Sequence, residues 1–263
     1  MPSGSRLRFI AALAFVGTSS LWAAAHSSSG GPHTTFAAQP PVMPTAGDGE
    51  LAWIDLLPPE GFAGWEMIAA EGQTPDAMSW RRIDGELHCS GKPVGYLRTA
   101  EAFDEFILEF EWKYPADAPG NSGVLVHIDG PDKVWPKCVQ VQMLSDSAGR
   151  MFPMHGADAG DSAPSETLAA AAGAWNHWRL EAIGDHITLK VRRKEEWVEA
   201  NTVIVRSPTK GHIGLQSEDS PVVFRKLRLA VPPKTEVKPE PKPDGDVKPE
   251  GEAKPVPPPS LAD

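Results

Sequence analysis

Apolar and polar residues alternate with a period of two in many short segments of this chain, a pattern typical of β-strands with one buried face. The clearest example is residues 106–112, where Phe106 and Trp112 fall on an apolar face while Glu109 and Glu111 fall on the opposite face. The same reasoning predicts seven strands, at residues 106–112, 123–128, 137–144, 178–183, 186–191, 211–216 and 222–229.

Turn residues rather than helices separate these segments. Gly184 and Asp185 stand between two predicted strands, where a hairpin turn is expected. Helical character is limited to residues 165–172, which Gly173 would terminate. Many short strands with few short helices predict an all-β sandwich of two antiparallel sheets.

The two ends of the chain differ from the middle. Residues 1–25 carry Arg6 and Arg8, then an apolar run, then small residues around Ala25, which is the layout of a secretory signal peptide. We therefore expect a secreted or periplasmic protein with cleavage near Ala25 and no transmembrane span in the mature chain. An uncleaved membrane anchor is the alternative interpretation.

Composition divides the remainder into a linker, a folded domain and a tail. Residues 26–49 are rich in Ser, Gly, Pro and Ala and predict a flexible linker. Residues 232–263 combine proline with alternating Lys and acidic residues and contain no aromatic residue, which predicts a disordered tail. Contact of this tail with the cell envelope and a solvated end without a role both stay open. The folded domain is predicted at residues 50–231.

Charge and cysteine content restrict the classes of ligand. The chain has a net charge of −10, of which residues 50–231 carry −9, so a nucleic-acid partner is not expected. Eight histidines lack metal-ligand spacing, and no phosphate-binding loop is present, so no metal and no cofactor are predicted. Cys89 and Cys138 could form one disulfide or remain as thiols. Eight of the nine tryptophans fall in residues 50–231, most of them expected in the core.

Several polar residues of the predicted domain suit carbohydrate chemistry. Gln140 and Gln142 share one face of a predicted strand close to Asp146, and side-chain amides pair well with sugar hydroxyls, although a solvated sheet face would look the same. Trp135 lies in a loop where it could contact a sugar ring at the rim of a site, with Lys137 beside it. The polar face of a second strand holds His127.

Paired carboxyl groups are a second source of candidate chemistry. Glu109 and Glu111 are two residues apart on one strand face, a separation of roughly 7 Å by strand rise. Glycoside hydrolases place their two carboxyl groups at comparable distances. Solvated strands often show the same spacing.

Several motifs together resemble the 3-keto-disaccharide hydrolase domain family over roughly residues 51–230. They lie, in order, at residues 91–99, 106–112, 120–124, 130–137, 139–142, 214–218 and 224–225. The resemblance implies a concanavalin-like jelly-roll with a concave sugar-binding face in exported bacterial proteins. It also implies chemistry at oxidised sugars: a ketone at C3 acidifies the C2 hydrogen, so a base can remove it and the C1 substituent leaves by elimination, followed by addition of water.

This chain departs from the family pattern at three positions. The family usually has Glu where Gln140 stands, often Asp at Ser145, and frequently Arg at His127. Because an amide cannot transfer a proton as a base, the catalytic candidates are other titratable groups: Glu111, Asp146, Glu218 and His127. The candidates for substrate contact are Gln140, Gln142, Asn121, Trp135, Lys137 and Gln216.

Three functions follow from these observations. The first is an exported hydrolase of 3-keto-glycosides or related disaccharides that acts by elimination and hydration. The second is a non-catalytic carbohydrate-binding module, which Gln140 favours. The third is a surface interaction protein whose tail is the working part.

Overall fold

The computed structural model describes residues 51–70, 79–115 and 119–233, together with the backbone of residues 33–35. The predicted signal peptide, most of the predicted linker and nearly all of the predicted tail lie outside the described residues. The described residues form sixteen strands and no helix: β1 (His33–Thr35), β2 (Trp53–Asp55), β3 (Trp65–Ala69), β4 (Trp80–Ile83), β5 (Glu86–Cys89), β6 (Gly95–Thr99), β7 (Phe106–Lys113), β8 (Gly123–Asp129), β9 (Lys137–Gln142), β10 (Met151–Met154), β11 (Asp158–Ala159), β12 (Asn176–Ile183), β13 (His186–Arg193), β14 (Glu196–Ser207), β15 (His212–Ser217) and β16 (Val222–Ala230).

These strands form two antiparallel sheets. The seven-stranded sheet has the order β1-β3-β6-β15-β8-β9-β10, and the nine-stranded sheet has the order β11-β14-β13-β12-β7-β16-β5-β4 with β2 beside β16. The expected antiparallel jelly-roll sandwich is confirmed. β1 falls inside the segment expected to be a flexible linker and pairs with β3.

The core lies between the two sheets and is built by the alternation seen in the sequence. β7 contributes Phe106 and Trp112 from one side, and β9 contributes Val139 and Val141 from the other. All seven predicted strands are present. The third ends at Gln142 rather than at residue 144, because the Gln142 side-chain Oε1 accepts hydrogen bonds from the next two backbone N–H groups and turns the chain.

Two local predictions have opposite outcomes. The Gly184 and Asp185 turn joins β12 to β13, and Gly184 has a φ of 59°, which glycine adopts at low cost. The helix expected at residues 165–172 is wrong. There Leu168 N–H donates to the Ala148 carbonyl, and another backbone N–H donates to Asn176 Oδ1, so the segment binds neighbouring elements instead of closing helical turns.

Half of the eight domain tryptophans are buried, fewer than expected. Trp65, Trp80, Trp112 and Trp178 are at most 2% exposed, whereas Trp53, Trp135, Trp175 and Trp197 are half-buried. The disulfide alternative is also excluded, since Cys89 and Cys138 are both free and buried. Burial raises the pKa of the Cys89 thiol to about 11 and that of Cys138 to about 12.

Candidate active site

Three glutamine side chains meet on the outer face of the seven-stranded sheet. Alternation along β9 places Gln140 and Gln142 on the side opposite the core residues of that strand. Gln140 Nε2 donates to Gln142 Oε1 at 3.2 Å and to Oε1 of Gln216, on β15, at 3.3 Å. We call Gln140, Gln142 and Gln216 the amide cluster. It joins β9 to β15 across the intervening strand β8.

Gly123 of β8 makes this meeting possible. It pairs directly with Gln142 in the β8–β9 register. A Cβ atom at this position would lie 2.9 Å from Gln216 Oε1 and 3.0 Å from Gln140 Nε2. Any larger side chain would therefore push the amides apart. This close approach explains why glycine occupies position 123 within the motif at residues 120–124.

The amide cluster reaches solvent at one end. Gln140 and Gln216 are only 3% and 1% exposed, whereas Gln142, Asn121 and Glu218 are half-buried. Among the described residues, Gln216 Nε2 and Asn121 Oδ1 have no hydrogen-bond partner. A buried polar group without a partner costs about 1–3 kcal/mol, but both atoms are nearly inaccessible to solvent, so a ligand could bond to them only after neighbouring side chains move.

Glu218 is the titratable group at this end. It directly follows β15, which ends at Ser217, and lies two residues after Gln216, so continued alternation would place both side chains on the same side. Burial raises the pKa of the Glu218 carboxyl, the negative charge of Asp219 raises it further, and hydrogen bonding from Asn121 opposes both effects. A carboxyl group with a raised pKa is suited to proton transfer near neutral pH.

A set of backbone contacts fixes the loops around Glu218. The Tyr114 hydroxyl donates to the Met143 carbonyl at 2.7 Å, and Ser220 Oγ accepts from the Asn121 backbone N–H at 3.0 Å. Burial raises the pKa of Tyr114, and the nearby Glu218 charge adds to this effect. Asn121 is thus held in place beside the carboxyl group.

Asp146 is close to this end along the chain but exposed. It lies in the turn that follows β9, where its neighbour Ser145 accepts a hydrogen bond from Gly120 N–H at 2.9 Å. The turn is therefore anchored to the loop that carries Asn121, while the Asp146 side chain faces solvent.

His127 does not share the face of the amide cluster, contrary to the prediction. The β8–β9 register shifts between Val126 and Asp129, and His127 has a φ of 57°. This irregularity directs the ring edge-on against the core residue Phe106, with a centroid distance of 5.8 Å. Its nitrogens lie 3.0 and 3.2 Å from the carbonyl oxygens of Asp104 and Pro208, and burial lowers its pKa against the effect of these carbonyls.

Lys137 is also far from the amide cluster. It begins β9, whereas Gln142 ends it, so the two are about 16 Å apart by strand rise. Lys137 Nζ donates to Ser207 Oγ at 3.2 Å and to Asp129 Oδ2 at 3.4 Å. These contacts join the sheets at the opposite end.

Trp135 is half-buried in the loop before β9, and an arginine that the sequence analysis overlooked anchors this loop. Arg98 of β6 donates to Asp132 Oδ1 at 2.6 Å and to Glu66 Oε2 at 2.7 Å. Alternation within residues 91–99, quoted above only as a family motif, could have placed Arg98 on the outer face with Tyr96.

Glu111 lies on the outer face of the other sheet. It accepts from Arg225 Nε at 2.6 Å and from Lys226 Nζ at 2.7 Å. Burial disfavours its charge, but the hydrogen bonds from Lys226 and Arg225 outweigh burial and lower the pKa of the carboxyl group. Glu109 is likewise held by Arg179 and Arg228. Glu109 and Glu111 are therefore both engaged in ion pairs with cationic side chains. Glu111 lacks the raised pKa of a general acid.

The described residues contain neither a metal-ligand cluster nor a membrane-spanning helix. No group of three or more His, Cys, Asp or Glu side chains converges there as a metal site. No helix within these residues is long and apolar enough to cross a bilayer.

Solved structures with the same fold include two from one bacterium. Two candidate glycosyl hydrolases from Parabacteroides distasonis ATCC 8503 match with TM-scores of 0.52, at 20% and 18% sequence identity. The first match covers 68% of this chain and 98% of the other protein, and the second covers 69% and 94%. At this identity the likeness shows the fold.

Sequence comparison identifies the family. No curated protein matches the chain. The model of the 3-keto-alpha-glucoside-1,2-lyase-like domain matches residues 52–230, which spans both sheets from β2 to β16 and includes the amide cluster and Glu218. The chain belongs to the family of the 3-keto-alpha-glucoside-1,2-lyase-like domain.

Proposed function

We propose that this domain cleaves 3-keto-glycosides at the outer face of the seven-stranded sheet, with Glu218 as the proton-transfer group. The observation that carries the proposal is the combination of a raised Glu218 pKa with an unpartnered donor on Gln216 and an unpartnered acceptor on Asn121. Membership of the 3-keto-alpha-glucoside-1,2-lyase-like family supports 3-keto-glycosides as the substrate class.

The proposed reaction balances as an elimination. The Glu218 carboxylate removes the proton from C2, which the C3 ketone has acidified. The electron pair passes to the ketone oxygen as an enolate and then forms the C1=C2 double bond while the bond from C1 to the leaving oxygen breaks. The leaving oxygen takes a proton from water, and Glu218 returns its own proton to the solvent. Addition of water to the double bond then gives net hydrolysis. The Gln216 amide N–H would stabilise the negative charge that develops on the ketone oxygen.

The experiment is incubation of the purified chain with 3-keto-trehalose. Elimination gives an α,β-unsaturated ketone, which absorbs in the near ultraviolet, together with released glucose. In D2O, deuterium should also enter C2 of recovered substrate if proton removal is reversible. Release of glucose without any enone, with no exchange at C2, would favour direct displacement at C1 and contradict the elimination.

A non-catalytic saccharide-binding role is the second candidate. Gln140 at the centre of the amide cluster favours this role, because an amide cannot accept a proton as a base. Its side chain is 3% exposed. Binding of 3-keto-trehalose without turnover, lost in Gln216→Leu, would select this function.

We also propose that the protein is exported, with removal of residues 1–25, and that its tail extends to the cell envelope. The basic and apolar pattern at the N-terminus supports export. Mass spectrometry of protein recovered from the periplasm or medium should give an N-terminus near His26. A mature chain that begins at Met1 would contradict cleavage.

A further inference from the structure

A groove crosses the outer face of the nine-stranded sheet, away from the amide cluster. Its volume is about 700 Å³, within the range of small-ligand sites. Glu109 and Glu111 of β7 lie at its centre, Trp197 of β14 lines one side, and Trp53 of β2 lines the other. We call this region the arginine groove.

The two carboxylates at the centre of the arginine groove are already neutralised by ion pairs. Glu109 is bonded by Arg179 and Arg228, and Glu111 by Arg225 and Lys226. Four cationic side chains thus hold two carboxylates. Asp55 and Glu195 also line the groove, so its acidic and cationic lining side chains are equal in number, but Glu109 and Glu111 are covered by their cationic partners while Lys194, Lys226 and Arg228 are exposed.

Tryptophan rings orient the arginines of this groove. The Arg228 guanidinium lies 4.4 Å from the centroid of Trp53, while Arg179 and Arg192 lie 4.8 and 5.4 Å from that of Trp197. Such contacts fix the guanidinium planes, and a pre-oriented donor loses less entropy when it binds a ligand.

Exposed cations complete the groove. The Arg228 and Lys226 side chains are 50% and 68% exposed despite their ion pairs. Lys194 at the β13–β14 turn is exposed as well. Each guanidinium has five N–H donors, and Arg228 uses only two groups on Glu109, so donors remain for a ligand.

We propose that the arginine groove binds an oligosaccharide that carries carboxylate groups, such as a chain of uronic acids. Guanidinium groups pair with carboxylates in a planar, two-point geometry. Sugar hydroxyl groups can accept the remaining N–H donors, and the C–H faces of the sugar rings can contact the indoles at the walls. The groove and its ligand do not depend on the reaction proposed for the other sheet.

The test is calorimetric titration of the full chain with trigalacturonate and, separately, with neutral maltotriose. Trigalacturonate should bind and should weaken as salt is added, and maltotriose should not bind. The double variant Lys194→Gln/Lys226→Gln should weaken binding at least tenfold. Lys133→Gln/Lys210→Gln, which removes the same number of charges at exposed sites outside the groove, should leave it unchanged.

A replacement variant and a control at Glu218 complete the titration experiment. If the double variant does not fold, Arg192→Gln serves instead, because the only ion pair of Arg192 within the described residues is with the exposed Glu195. Glu218→Gln should bind trigalacturonate normally, which separates this site from the proposed catalytic one. No binding of trigalacturonate by the unmodified chain, or equal binding by the groove variants, would overturn the proposal. Binding of a synthetic peptide of residues 234–263 to the groove, without binding of trigalacturonate, would also overturn the proposal, because it would assign the groove to the chain's own tail.

Discussion

Gln140 and Gln216 are hydrogen-bonded side chain to side chain across β8, from Nε2 to Oε1 at 3.3 Å, directly above Gly123. Both are almost fully buried. The bond uses Gln140 Nε2 and Gln216 Oε1, and Gln216 Nε2 is left as an unpartnered donor. Because an amide at position 140 cannot transfer protons, any proton transfer on this face must come from another group, and Glu218 has the position and the raised pKa for it.

The space above Gly123 gives the first prediction. Gly123→Ala should disrupt the amide cluster, because its Cβ would lie within 3.0 Å of two amide atoms. We expect a loss of stability of about 1–3 kcal/mol by urea denaturation, together with loss of 3-keto-glycoside turnover.

The matched control is Gly160→Ala. A Cβ there would meet Val203 at 3.6 Å, an ordinary contact. It should change the free energy of unfolding by less than about 0.5 kcal/mol. Equal stability and activity in both variants would show that the amide cluster tolerates a side chain below it.

The ion pairs of Glu111 predict how stability depends on pH. Its pKa is lowered in the folded protein, so its stabilising contribution is complete above the unfolded value of 4.5 and is lost as the pH falls through the lower folded value. Glu111→Gln should therefore reduce the free energy of unfolding at pH 7 by about 1–3 kcal/mol and should reduce its decline in acid. The same acid dependence in both proteins, measured by urea denaturation between pH 3 and 7, would contradict this assignment.

The two thiols should be unreactive in the folded protein. Burial raises the pKa of Cys89 to about 11 and of Cys138 to about 12, so very little thiolate is present at pH 8. Ellman's reagent should report no fast-reacting thiol in native protein and two in guanidinium chloride, without a reducing agent. Fewer than two after denaturation would indicate a disulfide.

The sequence predicted the sheets well because period-two alternation directly reports which side chains face the core. Alternation could not show which of the two sheets an outward-facing residue belongs to. Glu111 and Gln140 both point outward, but β7 and β9 belong to different sheets, and that depends on pairing between strands distant in the chain.

Local irregularities were also beyond the sequence pattern. The register shift near His127 moves a ring that strict alternation would expose into contact with Phe106. The segment at residues 165–172 has a helix-like composition, but bonds to Ala148 and Asn176 override that preference. Neither the register shift nor these contacts can be deduced from the local alternation of residues.

The pH dependence of 3-keto-trehalose cleavage by the unmodified chain and by Glu218→Gln tests the central claim most directly. If Glu218 is the base, kcat/KM should rise with pH as its carboxyl ionises, around a pKa above the usual glutamate value of 4.5, because burial raises it. Glu218→Gln should lower kcat at least 100-fold, remove this rise and leave substrate binding within a few-fold. Full turnover by Glu218→Gln with an unchanged pH profile would contradict the account.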